Sequence, residues 1–192
     1  MIRMSCIHHI FVTFMFLAWL AEGDNYVQDA CTVTRYRNIC VRTLASFSNT
    51  ARRSPSKWAR AGVSVTIGEV KNVTQDLIGL KKQRVMKGMN IIALSDCIEC
   101  FEDAVDELYK SLNVLRNLSK STFDIQMGDL NTWISAALTD EDTCLDGFEG
   151  VEGGKQVELL RKWVLNASYV TSNALALVSK LASTGVESLN DP

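Results

Sequence analysis

At 192 residues and 47% hydrophobic content, the chain is long enough for one domain with a full core and too short for two comfortable ones. Its net charge of −2 comes without a long run of either sign, which excludes the basic footprint of a nucleic-acid-binding protein.

The N-terminus has its own logic. Arg3 supplies a positive start, Ile10 to Leu20 is an almost unbroken apolar run, and Ala21-Glu22-Gly23 places small residues where signal peptidase reads them. The expectation is a cleaved leader over residues 1–23 and a mature domain over 24–192. A membrane anchor is the alternative, but the run is about half of the roughly 20 residues that cross a bilayer, and no later segment supplies a span. Cleavage removes Arg3 and Glu22, which leaves the charge at −2, and takes away Cys6, His8 and His9. The mature chain then has no histidine. Ser-His-Asp and Cys-His nucleophile arrangements and a His-ligated zinc all need an imidazole, so they are excluded. Neither a metal nor a cofactor is expected, and the chain reads as a non-enzyme in which only carboxylate chemistry stays open.

The mature sequence divides into a short section over 24–52 and a long helical section over 53–182. Pro55 and Pro192 are the only prolines, so long helices are permitted nearly everywhere. A first helix is expected from about Pro55 to Leu80, with Ser54 as cap, Pro55 in the first turn, and Ala59, Val63, Val70, Val73, Leu77 and Leu80 near a 3.6 period. A second runs from about Asn90 to Leu118 on the stripe Leu94, Ile98, Phe101, Val105, Leu108, Leu112 and Leu115. A third covers about Phe123 to Leu138, with Met127, Leu130, Ile134 and Leu138 inward. A fourth covers about Val157 to Leu181, carried by Val157, Leu160, Val164, Ala167, Val170, Ala174, Leu177, Val178 and Leu181. Between the last two lies a glycine-dense connector, residues 147–154, without the strand or Gly-Lys-Ser/Thr ending of a phosphate cradle. Four amphipathic helices joined by short loops satisfy their stripes most simply as an antiparallel four-helix bundle, an all-α fold.

Five cysteines remain after cleavage: Cys31, Cys40, Cys97, Cys100 and Cys144. In an oxidising compartment that means two bridges and one thiol left over. Cys31 and Cys40 would stand about 13 Å apart on one continuous helix, beyond the reach of a disulfide, so if they pair the chain turns back between them as a small helical hairpin. Cys97 opens the second helix and Cys144 follows the third, ends that antiparallel neighbours bring together. Cys100 is close enough to be the partner instead. Cys97 and Cys100 also form a Cys-x-x-Cys, but the βαβ context of a redox pair and the second ligand pair of a metal site are both missing.

Two blocks carry a family likeness. Asp96-Cys97-Ile98-Glu99-Cys100-Phe101-Glu102-Asp103-Ala104-Val105-Asp106-Glu107-Leu108 resembles the second-helix signature of the plant invertase and pectin methylesterase inhibitor family. Trp133-Ile134-Ser135-Ala136-Ala137-Leu138-Thr139-Asp140-Glu141-Asp142-Thr143-Cys144-Leu145-Asp146-Gly147-Phe148-Glu149 resembles the end of its third helix, and the Cys31 to Cys40 spacing matches its N-terminal hairpin. The likeness runs from about Ala30 to Leu181. It implies a four-helix bundle preceded by a helical hairpin, bridges Cys31–Cys40 and Cys97–Cys144, and a lone fifth cysteine; Cys100 departs from the residue usual at its position. The Ala-Leu-Thr-Asp-Glu-Asp run and Thr143-Cys144-Leu145-Asp146-Gly147-Phe148 look more like pectin methylesterase inhibitors. Invertase inhibitors usually carry a Pro-Lys-Phe, which does not occur here. An acid invertase is therefore the alternative target, and a free-standing inhibitor is a simpler reading than the pro-region of a large esterase.

Glu99, Asp103 and Asp106, at i, i+4 and i+7, put three carboxylates on one face of the second helix, which is by itself an ordinary solvated face. The resemblance implies more: that these residues, with Asn131, Ser135 and Thr143 at the third-helix positions, contact the esterase cleft. The expected product is a secreted, extracellular cell-wall protein in a stoichiometric, non-covalent, one-to-one complex with pectin methylesterase, with no nucleic acid and no membrane after leader cleavage. Sequons at Asn72, Asn117 and Asn166 mark candidate glycosylation sites. A helical module holding a small apolar ligand is the further alternative, and it would need a cavity among the apolar stripes.

Overall fold

The structure, a computed structural model, describes residues 25–150 and 154–190, apart from the side chains of 188 and 190. The expected leader, residues 1–23, lies outside them, as do three residues of the glycine connector and the last two of the chain. The described residues are almost entirely helical and include no strand.

A short N-terminal section comes first: α1 over 25–30, a 3-10 turn at Cys31–Val33, α2 over Arg37–Leu44, a 3-10 turn at Ala45–Phe47, and α3 over Ser48–Ala51. The chain turns back between Cys31 and Cys40, which are disulfide-bonded with their Cα atoms 5.8 Å apart. Its apolar side, Val27, Leu44 and Ala51 with both half-cystines, packs on Trp58 and Ala61 of α4 and Leu177 of α7, forming a small core of its own.

The long helices follow: α4 over Pro55–Gln83, α5 over Met89–Arg116, α6 over Phe123–Asp146 and α7 over Gly154–Thr184. Ser54 caps α4, its hydroxyl accepting from Lys57 N at 3.4 Å, and Pro55 fills the first helical position where its missing N–H costs nothing. Each helix packs on its two neighbours in the ring α4, α5, α6, α7, and the core is the layer between them. Val63, Val70 and Leu77 of α4 meet Leu94, Phe101 and Leu108 of α5, Leu130 and Ile134 of α6, and Leu160, Val164 and Leu181 of α7, all of them buried.

Two expectations need correcting. Val105 and Leu138, placed inward by periodicity, are only half-buried. The third helix does not stop at Leu138: α6 runs two further turns to Asp146, so Cys144 sits in its last turn rather than beyond its end. The buried positions of this extension, Ile134, Ala137, Glu141 and Cys144, keep the 3.6 period. A carboxylate at the third of them hides the pattern. Thr139 and Thr143 donate back to the carbonyls of Ser135 and Thr139, at 3.0 and 2.8 Å, and so stay compatible with the helix. Cys97 and Cys144 are bonded, with Cα atoms 4.3 Å apart, and a closed loop of that size is worth about 3 to 4 kcal/mol. Among the described residues Cys100 is the free thiol.

Candidate functional site

Among the described residues the hairpin packs mainly on α4 and α7, on the far side of the ring from α5 and α6. The Cys97–Cys144 bridge fixes the register there. Counted in equal steps from it along antiparallel helices, Asp103 is level with Leu138 and Asp106 with Ser135.

Along α5 one exposed line reads Ile92, Asp96, Glu99, Asp103 and Asp106, at steps of four, three, four and three, with Met89 one turn earlier. Met89 and Ile92 are 69% and 54% exposed, so this line is apolar at its start and acidic along its length. The period that fills the core with Leu94, Ile98 and Phe101 leaves Ile92 off the stripe, a signal that was present in the sequence and not used.

Across the seam stands Asp140 of α6. Burial holds its carboxyl above the usual carboxylate range, and the charge of Asp103 raises it further. Glu107 is likewise raised, first by burial and then by Asp140, with Lys110 opposing and Asp103 adding. Burial, followed by Asp140 and Asp103, also pushes the Cys100 thiol up, so at neutral and acidic pH it stays a protonated, poor nucleophile. The i, i+4, i+7 spacing on one helix could not show this crowding, because half of it comes from the neighbouring helix. A carboxylate seam with Lys110 as the one charge opposing it at Glu107 favours a partner that brings positive charge or hydrogen-bond donors.

The α6 residues divide. Thr143 is exposed at the bridge end, with its hydroxyl turned back to the Thr139 carbonyl. Ser135 is half-buried. Asn131 is exposed but lies nine residues, two and a half turns, from Asp140, on the opposite flank of α6 and towards α7. The structure therefore brings Asp103 to the seam with Asp140, continues it along the exposed α5 line in Glu99 and Asp106, and leaves Thr143 at the bridge end, whereas Ser135, four residues from Asn131, shares that residue's flank of α6.

Beneath this face lies Glu141, fully buried, whose Oε1 accepts from Thr171 Oγ1 of α7 at 2.7 Å. Its Oε2 has no partner among the described residues. Burial raises its pKa to about 8, only partly offset by the hydrogen bonds from Thr171 and Ser168, so it is a neutral acid under all but alkaline conditions.

Among the described residues no group of histidine, cysteine or carboxylate side chains is arranged to hold a metal ion, and no described helix is long and apolar enough to cross a membrane. A narrow cavity lined by Cys40, Leu44, Gly62 and Leu177, one of those between the hairpin and the bundle, measures about 10 Å³, too small for an organic ligand. Of the sequon asparagines, Asn72 and Asn117 are exposed. Asn166 is half-buried, and its Nδ2 donates to Glu69 of α4 at 2.6 Å.

Comparison with known proteins gives this geometry a family. The family model described as plant invertase/pectin methylesterase inhibitor matches residues 25–177. Pectinesterase inhibitor 6 of Arabidopsis thaliana is 52% identical over 169 residues, covering 87% of this chain and 80% of that protein. Pectinesterase inhibitor 3 of the same plant is 37% identical over 84% of this chain and 82% of its own length. The 21 kDa protein of Daucus carota is 34% identical over 85% and 86%. Among solved structures, a mutant form of a pectin methylesterase inhibitor from Arabidopsis superposes with a TM-score of 0.62 at 17% identity, covering 78% of this chain and 92% of that one, a likeness of fold. A match across nearly the whole described bundle, joined to relatives of this identity, means that the chain belongs to the plant invertase/pectin methylesterase inhibitor family.

Proposed function

We propose that this protein is a secreted inhibitor of pectin methylesterase that acts in the cell wall by covering the pectin-binding cleft of the enzyme in a one-to-one, non-covalent complex. The observation that carries the reading is the exposed line from Ile92 to Asp106 on α5, on the side of the ring away from the hairpin. Met89 and Ile92 supply the apolar anchor such an interface needs, and Glu99, Asp103 and Asp106 supply register and approach rate. Thr143, Ser135 and Asn131 extend the contact over α6, with Asn131 at its rim. The 52% identity to a pectinesterase inhibitor supports the choice of target. Acid invertase, the other target in the family's description, is the second reading, and the lack of a Pro-Lys-Phe argues against it.

The leader over residues 1–23 is cleaved after Gly23, and glycans sit on Asn72 and Asn117. At Asn166 the amide nitrogen that a sugar would take is held by Glu69 in the folded chain. Asn117 Nδ2 is also engaged in the folded chain, donating to Asn113 O at 2.8 Å, so occupancy at both Asn117 and Asn166 depends on modification before folding.

Titration of the purified mature protein against a plant pectin methylesterase and an acid invertase in parallel tests the target: inhibition of the esterase is expected, and inhibition of invertase alone overturns the proposal. A triple variant, Glu99→Ala, Asp103→Ala and Asp106→Ala, tests the face. All three side chains are exposed, so its melting should match the parent within a few degrees while inhibition weakens about tenfold or more. Ile92→Ala should do the same by removing the anchor. Unchanged inhibition in both well-folded variants would remove this side from the interface.

A further inference from the structure

The opposite corner of the molecule carries a second feature that the inhibitory face does not use. Between α3 and α4 the chain reverses through Ala51, Arg52, Arg53 and Ser54, closed by Ser54 N donating to Ala51 O at 2.9 Å. Arg52 takes φ 45° and ψ −116°, the first central position of a type II′ turn, which sterics reserve for glycine. The surroundings impose it: Trp58 Nε1 donates to the Arg52 carbonyl at 2.8 Å, and Arg52 N donates to Ser48 O at 3.0 Å. A strained arginine at a glycine position is an outlier that asks for a function.

Its result is that two successive arginines line a cavity of about 180 Å³ together with Lys180 of α7, Trp58, Pro55 and Leu177. Arg52 Nε is turned to Asn49 O at 3.2 Å. None of Arg52, Arg53 and Lys180 stands in an ion pair with a described residue, in a chain whose overall charge is negative. Asp29 is the single carboxylate in the lining. Val33 and Lys180 also line an adjoining open groove along α7, whose walls carry the hydroxyls of Ser172, Ser179 and Ser183. Ser179 and Ser183 donate to backbone carbonyls, which leaves their oxygens free to accept.

We propose that this corner binds an acidic polysaccharide, a polyuronate chain whose free carboxylates sit on Arg52, Arg53 and Lys180 and whose hydroxyls meet Asp29 and the serines of the α7 groove. Guanidinium forks match carboxylates in pairs, and alternating cation and hydroxyl lining suits a ligand that alternates charge and hydroxyl along its length. A nucleic acid would want exposed aromatic stacking, whereas Trp58 is buried. The choice of polyuronate over other acidic glycans rests on the proposed function in a pectin-bearing wall. The site itself does not, since it lies on the α4 and α7 side, at the end of the bundle remote from the Cys97–Cys144 bridge.

The test is binding of the purified protein, by calorimetry and by co-sedimentation, to polygalacturonate, to the same backbone fully methyl-esterified, and to heparin. Binding to polygalacturonate that fades with added salt, with none to the esterified chain, is the expected result. Equal binding to the esterified chain, or tighter binding to heparin, overturns the proposal. Arg52→Gly relieves the turn and removes one guanidinium, so it should leave Tm equal or higher and weaken polygalacturonate binding about fivefold; Arg53→Ala with Lys180→Ala should weaken it about tenfold or more. Unchanged binding in these folded variants equally overturns it. Esterase inhibition is read on the same samples: it should be unchanged, and its absence in the parent would fault the proposed target without touching the polyuronate result.

Discussion

Glu141 is the residue at which chemistry and packing are in sharpest tension. Its carboxyl is buried with one oxygen unpartnered and a pKa of about 8, against about 4.3 for an unfolded chain. Between these values the folded state holds a proton that the unfolded state has lost, so stability is complete below about pH 4.3, declines as pH rises, and levels off above about 8. Glu107, Asp140 and Asp142, each raised first by burial, act in the same direction. The parent protein should therefore melt higher at pH 5 than at pH 8. Glu141→Gln should recover about 1 to 3 kcal/mol at pH 8 and little at pH 4.5, measured by thermal melts at both. A variant that melts no higher than the parent at pH 8 would mean that Glu141 is already charged at no cost.

At the level of elements, a polar clasp adds to the apolar packing that holds the hairpin on the bundle. Asn173 of α7, nearly buried, accepts from Tyr36 N at 3.1 Å through Oδ1 and donates to Tyr36 O at 3.0 Å through Nδ2, while the Tyr36 ring stacks on Tyr169 with centroids 4.1 Å apart. Asn173→Ala leaves Tyr36 N unpaired, while Tyr36 O keeps its bond from Cys40 N at 3.0 Å, and should cost about 1 to 3 kcal/mol, felt first as faster proteolysis of residues 25–52 under native conditions. Loss confined to global melting, with the hairpin still protected, would contradict this fastening. No sequence pattern announces a contact across 137 positions. What is legible in the sequence is what a period can carry: α4, α5 and α7 follow their apolar stripes to within a few residues. The end of α6 is not legible, because a neutral glutamate occupies a core position and reads as surface. The acidic seam is half legible, since Glu99, Asp103 and Asp106 share a face by spacing while Asp140 joins them only through packing.

Across the whole molecule, the acidic line on α5 and the cationic corner by α3 and α7 stand on opposite sides of the ring and at opposite ends of the bundle. If the acidic line meets the esterase, raising salt from about 20 to 300 mM should slow association severalfold and change dissociation little, a stopped-flow measurement that separates steering from contact. An association rate indifferent to salt would shift the weight of recognition to Met89 and Ile92.

The joining of Tyr36 to Asn173 also sets an order of events during synthesis. The four long helices meet as sequence neighbours, apart from the closing α4 to α7 contact, so most of the ring can assemble as it emerges. The hairpin is made early, yet the helix it docks on is made last. Until α7 emerges, Val27 and Leu44 have only part of their apolar cover, and the Cys31–Cys40 bridge, with the contacts to α4, keeps the hairpin folded in the interval. The clip near the start of the chain thus acts as a placeholder, keeping the first section in shape for a surface that does not yet exist.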